Sequence, residues 1–202
     1  MIKRLSYIFF LAVLLAGCSN SVKTTLSERY RVSPPKTVAV APVVWKAEGE
    51  SKDAGNTFRT MTAEKLKELN YRVVPLSAVD DTYIRLGSSS MAAKNPSELA
   101  ALLGADAVLF IKIQQWNIDR FVTYASLTVE ADYELYSNTG ERLWRAGYST
   151  RDADLRLDIK SMEYAIIKAY EPKVQRFVDA IFTTLPQANT RADERTFFQW
   201  LP

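Results

Sequence analysis

Two short apolar runs constrain the fold most: Thr37-Val-Ala-Val-Ala-Pro-Val-Val44 and Ala107-Val-Leu-Phe-Ile-Lys-Ile113. Both are continuous rather than alternating, the mark of a strand covered on both faces. Pro42 cannot donate to a ladder, so pairing of the first run ends near Ala41. Such strands need helices on both sides, and the intervening sequence supplies them. Asn56 or Thr57 caps a helix running to about Leu69, with Phe58, Met61, Leu66 and Leu69 near one face. Tyr71-Arg-Val-Val-Pro75 reads as a short strand, Ser77 caps a brief helix through Ile84, and Gly87 to Lys94 reads as a loop. Asn95-Pro96-Ser97-Glu98 is the clearest local signal: Asn95 suits the N-cap, Pro96 the first turn and Glu98 a capping box. Leu99, Leu102 and Leu103 supply that helix's buried face, and Gly104 its left-handed C-terminal position. Strand, helix, strand, helix, strand predicts a parallel sheet with right-handed crossovers.

From Phe121 the period becomes two. Phe121, Thr123, Ala125, Leu127, Val129, Ala131, Tyr133 and Leu135 share one face; Ser126, Thr128, Glu130, Asp132 and Glu134 share a wetter one. Ser137-Asn-Thr-Gly140 is a turn, and Arg142 to Thr150 returns antiparallel with Trp144 and Tyr148 on one face. Asp154 to Leu185 reads as helical, kinked or restarted at Pro172. After Pro172, Val174, Phe177, Val178, Ile181, Phe182 and Leu185 form a stripe that covers the sheet. The fold class is therefore α/β: one domain with a five-stranded mixed sheet, three parallel strands plus an antiparallel hairpin, covered by helices. Numbering those five strands along the chain, the expected order is 2-1-3-4-5.

The amino terminus carries a leader of the secretory kind. Lys3 and Arg4 give its positive end, and Tyr7 to Leu15 its apolar core. That core is too short to span a bilayer, which takes about 20 apolar residues. Leu15-Ala16-Gly17-Cys18 matches the lipobox of bacterial lipoproteins. The match implies cleavage before Cys18, a diacylglyceryl thioether on its sulfur and an acyl group on its new amine; no other cofactor is expected. The competing reading is an ordinary leader with an incidental cysteine, or an uncleaved anchor. Two or more acyl chains attach firmly, each buried CH₂ contributing about 0.8 kcal/mol. Ser19 stands where lipoproteins kept in the inner membrane carry Asp, which favours the outer membrane, facing the periplasm. The expected organisation is a signal peptide over 1–17, a lipidated N-terminus and tether over 18–35, an α/β domain over 36–186 and a tail over 187–202. A flexible tether of about 16 residues spans roughly 20–25 Å.

Composition removes much chemistry. The chain has no histidine and a single cysteine. Serine–histidine and cysteine–histidine catalysis, imidazole metal sites and intramolecular disulfides are excluded. Of 26 basic residues two lie in the leader, leaving 24 against 23 acidic ones with no basic block, which argues against nucleic acid. The remaining candidates have plain structural explanations. Asp152, Asp154 and Asp158 lack calcium-loop spacing, and Asp154 or Asp158 suits a helix cap. Adjacent Asp80 and Asp81 point apart on a helix or turn. Ser88-Ser89-Ser90 and Lys94 miss the serine–lysine spacing by one residue. No metal ligands are assigned. Phe197, Phe198, Trp200 and Leu201 end a polar linker and form either a partner-docking peptide or a segment folded back on its own sheet. The alternating Phe121–Tyr136 hairpin offers a second interface by strand addition, against which its acidic positions argue.

Several segments together resemble a known family: Pro34-Pro35 before Val38-Ala-Val-Ala-Pro42, Leu69-Asn-Tyr-Arg-Val-Val-Pro75 before Val79-Asp-Asp81, Leu103-Gly-Ala-Asp-Ala107, and Asn138-Thr-Gly-Glu-Arg-Leu-Trp144. With the lipobox, they resemble a family of bacterial lipoproteins with a domain of unknown function. The resemblance covers about Cys18 to Arg151 and implies a fold similar to the amino-terminal domain of TolB and the periplasmic domain of the lipoprotein CsgG. It carries no catalytic residues. It implies a non-enzymatic, membrane-anchored interaction subunit of an envelope assembly or secretion system, with a CsgG-like lipoprotein as partner and homo-oligomerisation compatible with that role. The alternatives are a periplasmic module binding a small molecule or lipid, and a carboxylate-dependent hydrolase with two acids facing across a cleft.

Overall fold

The computed structural model describes residues 21–48, 51–87, 95–120, 125–155 and 162–188. Its elements are β1 (Lys23–Leu26), α1 (Glu28–Val32), β2 (Thr37–Val40), β3 (Val44–Trp45), α2 (Lys52–Glu68), β4 (Arg72–Val73), α3 (Leu76–Arg85), α4 (Pro96–Leu103), β5 (Ala107–Arg120), β6 (Ala125–Ser137), β7 (Arg142–Leu155) and α5 (Met162–Phe182). Among the described residues seven strands form one mixed sheet, ordered β1-β7-β6-β5-β2-β4, with β3 also pairing β5. The five expected strands thus stand in the expected order. β2 pairs in parallel with both β4 and β5, and β5, β6 and β7 form an antiparallel meander.

The continuous apolar runs do face two cores. On β2, Val38 and Val40 enter the larger core while Ala39 and Ala41 enter a smaller one on the other side. Helices α2 and α5 cover the first face, placing Phe58 against Phe177 with ring centroids 5.6 Å apart. Helices α3 and α4 cover part of the second, through Val79, Tyr83, Leu99 and Ala100. The expected stripe is buried at every position, from Val174 to Phe182 on α5 and at Leu185 just beyond its end. Each such side chain contributes about 1.5–3 kcal/mol of burial. Pro172 lies inside α5, which neither ends nor restarts there. Trp144 and Tyr148 both meet α5, at Phe182 and Phe177 respectively.

Several expectations need correction. Residues 23–32 are not tether: β1 adds to the outer edge of β7, with Lys23 opposite Gly147 and Leu26 opposite Trp144. Ser27 caps α1 by accepting from the Tyr30 N–H at 3.2 Å, and Tyr30 is buried. A four-residue strand with an exposed pattern carries no burial signal, so only backbone pairing reveals it. Helix α2 starts at Lys52, four residues before Asn56, because Ser51 supplies the cap, accepting from the Ala54 N–H at 3.3 Å. Pro75 rather than Ser77 precedes α3, without a side-chain cap bond. On α4, Asn95 and Gly104 cap as expected, but Ala100 is buried where Leu102 is 58% exposed. β5 continues past Ile113 to Arg120, and β7 past Thr150 to Leu155. Asp152 and Asp154 therefore belong to a strand, not to a helix start. β6 is flanked on both sides, so it offers no edge for strand addition. The domain also extends beyond residue 186, since the Ala188 N–H donates to the Leu69 carbonyl at 3.0 Å.

Candidate interaction surface

The second face of the sheet is divided. Near β4, β2 and the start of β5 it is apolar and lies under α3 and α4. α4 also reaches the Ser137 end of β6; away from that end no described helix packs on this face over β6, β7 and β1. An edge-to-face pair marks the border: Phe110 on β5 and Tyr136 on β6, centroids 5.8 Å apart. Past that border the outward positions are charged and connected.

Glu134 is the centre of the network, its side chain only 9% exposed. Lys112 Nζ lies 2.6 Å from one carboxylate oxygen, and the Tyr136 hydroxyl donates to the same oxygen at 3.3 Å. Arg142 and Arg145 lie 3.7 and 3.8 Å from the other oxygen. Asp132, two residues back on the same strand, accepts from Gln114 Nε2 at 2.8 Å and from Arg145 Nη2 at 3.3 Å. The backbone explains this convergence. A register irregularity between Ile113 and Gln115 leaves Gln114 without a strand partner, as a bulge does, and turns it toward Asp132. Opposite Asp132 stands Gly147, where a Cβ would lie 3.0 Å from Asp132 Oδ1. The missing side chain makes room for the carboxylate. Beside the network a groove of about 580 Å³ runs to the β1 edge, lined by Lys23, Thr25, Glu130, Asp132, Arg145 and Tyr148.

Both central acids are held by cations, an arrangement suited to a fixed pattern of donors and acceptors rather than to moving protons. Isolated exposed pairs contribute about 0–1 kcal/mol each; a network sharing acids is stiffer than its members. The chain's sequence points to it in two places. Lys112 interrupts an otherwise apolar run, and Glu130, Asp132 and Glu134 occupy the wet face of an alternating strand.

The other candidates separate. Asp80 binds the buried Arg59 at 2.6 Å. Arg59 also donates from Nε and Nη2 to the Val40 carbonyl at 3.2 and 3.1 Å, so it fills the space at the end of β2. Asp81 neighbours Asp80 on α3 and takes no part in that pair. The Tyr30 and Tyr71 hydroxyls are paired, and both reach the Pro186 carbonyl, at 3.0 and 2.6 Å. Burial raises both phenols above their ordinary range. This cluster ties α1 to the start of the carboxyl-terminal segment. Among the described residues no three potential ligands converge as a metal site. Cys18, Ser88–Ser90, Lys94, Asp158 and the docking residues Phe197, Phe198, Trp200 and Leu201 lie outside the described residues.

The segments that carry the family resemblance serve backbone geometry. Gly104 caps α4 at φ 60°. Asp106 accepts from the Lys36 and Thr37 N–H groups at 3.0 and 2.8 Å, fixing the start of β2. Asn70 turns at φ 66° before Tyr71, and Gly140 at φ 82° closes the meander turn. These residues specify the architecture, while the charged face lies elsewhere.

The chain matches the family model described as "Putative lipoprotein GNA1162-like" over residues 27–196, and it belongs to that family of lipoproteins. It is 30% identical over 129 residues to "Putative lipoprotein NMB1124/NMB1162" of Neisseria meningitidis serogroup B. That match covers 61% of this chain and 58% of the relative, so the chain spans under two thirds of the relative's length. Among solved structures it is similar to the crystal structure of lipoprotein GNA1162 from Neisseria meningitidis, at 21% identity and a TM-score of 0.52. The alignment covers 72% of this chain and 99% of that one, a likeness of fold. The PelC dodecamer from Paraburkholderia phytofirmans aligns at 21% identity and a TM-score of 0.47, over 77% of this chain and 96% of that one.

Proposed function

We propose that the mature chain is an envelope lipoprotein, anchored through Cys18 to the outer membrane and facing the periplasm, whose domain is a non-enzymatic interaction subunit. The observation that carries this reading is the half of the second sheet face that no described helix covers. A folded domain leaves a sheet face without a helix when that face is polar or is met by something else. Here the polar groups are locked in one arrangement by Lys112, Glu134, Asp132 and Arg145. A rigid, charge-patterned face gives specificity and register to an interface. The sequence resemblance points to a CsgG-like lipoprotein of an envelope assembly or export system as the partner. The lipobox and Ser19 support the anchor and its membrane.

In-cell crosslinking from a photoreactive residue at Ser149, on the open face, followed by mass spectrometry, tests the reading. One dominant envelope-protein adduct is expected, reduced at least tenfold by Arg145→Glu. A domain that crosslinks to nothing at native expression overturns it. A second reading, a periplasmic small-molecule or lipid module, is favoured by the groove beside Lys23 and Arg145. A co-purifying ligand, lost in Arg145→Glu, distinguishes it.

A further inference from the structure

The groove at the β1 edge of the open face lies close to the proposed anchor. Ser21 is one of its lining residues, three steps along the chain from Cys18. Fully extended, three residues reach about 10 Å. The headgroup layer on each side of a bilayer is itself about 5–7 Å thick. A mature chain acylated at Cys18 therefore holds the mouth of this groove at or beside the lipid headgroups.

The groove is built around a missing side chain. Asp132, Gly147 and Lys23 stand opposite one another on β6, β7 and β1. Gly147 leaves a gap in that row, and Asp132 Oδ1 leans into it, 3.0 Å from where a Cβ would stand. In the next outward row Glu130 lies opposite Ser149. The charges around the gap are of two kinds. Asp132 and Arg145 pair at 3.3 Å. Lys23 and Glu130 are exposed, and among the described residues neither side chain meets an ion-pair or hydrogen-bond partner. The groove thus presents one uncompensated cation and one uncompensated anion, on strands whose backbones lie about 10 Å apart. Two long side chains leaning in from such backbones close on a small dipolar group.

A site of this kind is complementary to a group that carries an anion and a cation a few bonds apart. A purely anionic group leaves Glu130 facing it unpaired, and a simple cation does the same to Lys23. Phosphoethanolamine, a headgroup that the anchor brings alongside, carries both charges. Its phosphate suits Lys23 and the remaining N–H donors of Arg145, whose guanidinium has five. Its ammonium suits Glu130, with Asp132 Oδ1 as a second acceptor. Phosphocholine carries the same charges but has no N–H to donate to these carboxylates.

We infer that the Gly147 groove receives the headgroup of a phosphatidylethanolamine molecule from the membrane that holds Cys18, with Lys23 taking the phosphate and Glu130 the ammonium. The inference rests on the lipid anchor at Cys18 and sharpens the lipid-module reading by naming the lipid. It leaves Lys112, Glu134 and Arg142 to a protein partner.

The mature lipoprotein in vesicles provides the test. Each vesicle preparation contains one photoreactive lipid, its reactive group beside the glycerol: phosphatidylethanolamine, phosphatidylcholine or phosphatidylglycerol. After illumination and digestion, mass spectrometry reads the adducts on the peptides that carry Lys23–Leu26 and Gly147–Ser149. Phosphatidylethanolamine is expected to label them at least fivefold more than either other lipid. Glu130→Gln is expected to bring phosphatidylethanolamine down to the phosphatidylcholine level, and Lys23→Gln to lower labelling by both. Both residues are exposed, so neither change threatens the fold. Equal labelling by the three lipids, or a preference that survives Glu130→Gln, overturns the inference while the anchor stands. So does a Ser149 crosslink to an envelope protein that is lost in both Lys23→Gln and Glu130→Gln, which assigns the groove to that protein. A mature chain whose intact mass shows no acyl groups overturns the anchor and this inference together.

Discussion

The two halves of the second sheet face are built from the same strands and meet different fates. On one side of the Phe110–Tyr136 border, Ala39, Ala41 and Val108 lie fully buried under Leu99 and Ala100 of α4. On the other, Lys112, Asp132, Glu134 and Arg145 satisfy one another with no described helix above them. The first half stabilises the domain by burial; the second spends its residues on a fixed charge pattern of small net worth. A face that adds little stability, yet keeps its acids and bases in register, is where a partner is to be sought.

The contrast can be broken at four points. Leu99→Ala, on the covered half, is expected to cost about 2–5 kcal/mol, measured by denaturant unfolding. A loss under 1 kcal/mol would mean that α4 covers the sheet only loosely. Alkaline pH acts next, on this half through Tyr83 and on the first face through Tyr30 and Tyr71. Burial pushes the Tyr83 phenol up to about 12, against 10.0 in the unfolded chain. Its contribution is fully present below pH 10 and is lost as pH rises toward 12, because only the unfolded chain then gives up the proton easily. Unfolding midpoints measured at pH 9 and above should fall from about pH 10, and Tyr83→Phe should blunt the fall.

On the open half, Glu134→Ala should cost only about 1 kcal/mol, since its cationic partners can turn to water. Its larger effect should be on the Ser149 crosslink; a stability loss above 3 kcal/mol would make Glu134 a structural acid instead. The smallest effect belongs to Gly147→Ala, at most about 1 kcal/mol. Its Cβ crowds Asp132 and should loosen the 3.3 Å contact to Arg145, visible as a shifted Asp132 carboxylate signal in NMR with the fold intact.

Much of the architecture was readable along the chain. The two continuous runs identified the central strands because burial on both faces excludes polar alternation. The α5 stripe was readable because six apolar side chains repeat at helical spacing. The missed elements lack such patterns: β1 is short and exposed, and Ser51 was passed over for Asn56 because either residue type caps a helix. The extension of β5 was within reach, since Trp116 and Ile118 alternate with Gln115 and Asn117. The charged face was half legible. Acidic residues on the wet side of β6 were evident, but their cationic partners lie 8 to 22 residues away, from Arg142 to Lys112 for Glu134.

By itself the sequence determined the α/β class, the family and the chemical poverty of the chain. Each of these follows from local pattern or from which residue types are present. Tertiary structure decided that residues 23–32 belong to the domain and that Lys112, Asp132, Glu134 and Arg145 meet. It also decided that, among the described residues, one half of a sheet face carries no helix. These depend on the register between strands and on the direction in which an edge strand docks. Backbone hydrogen bonds fix both, and they leave little trace in the side chains.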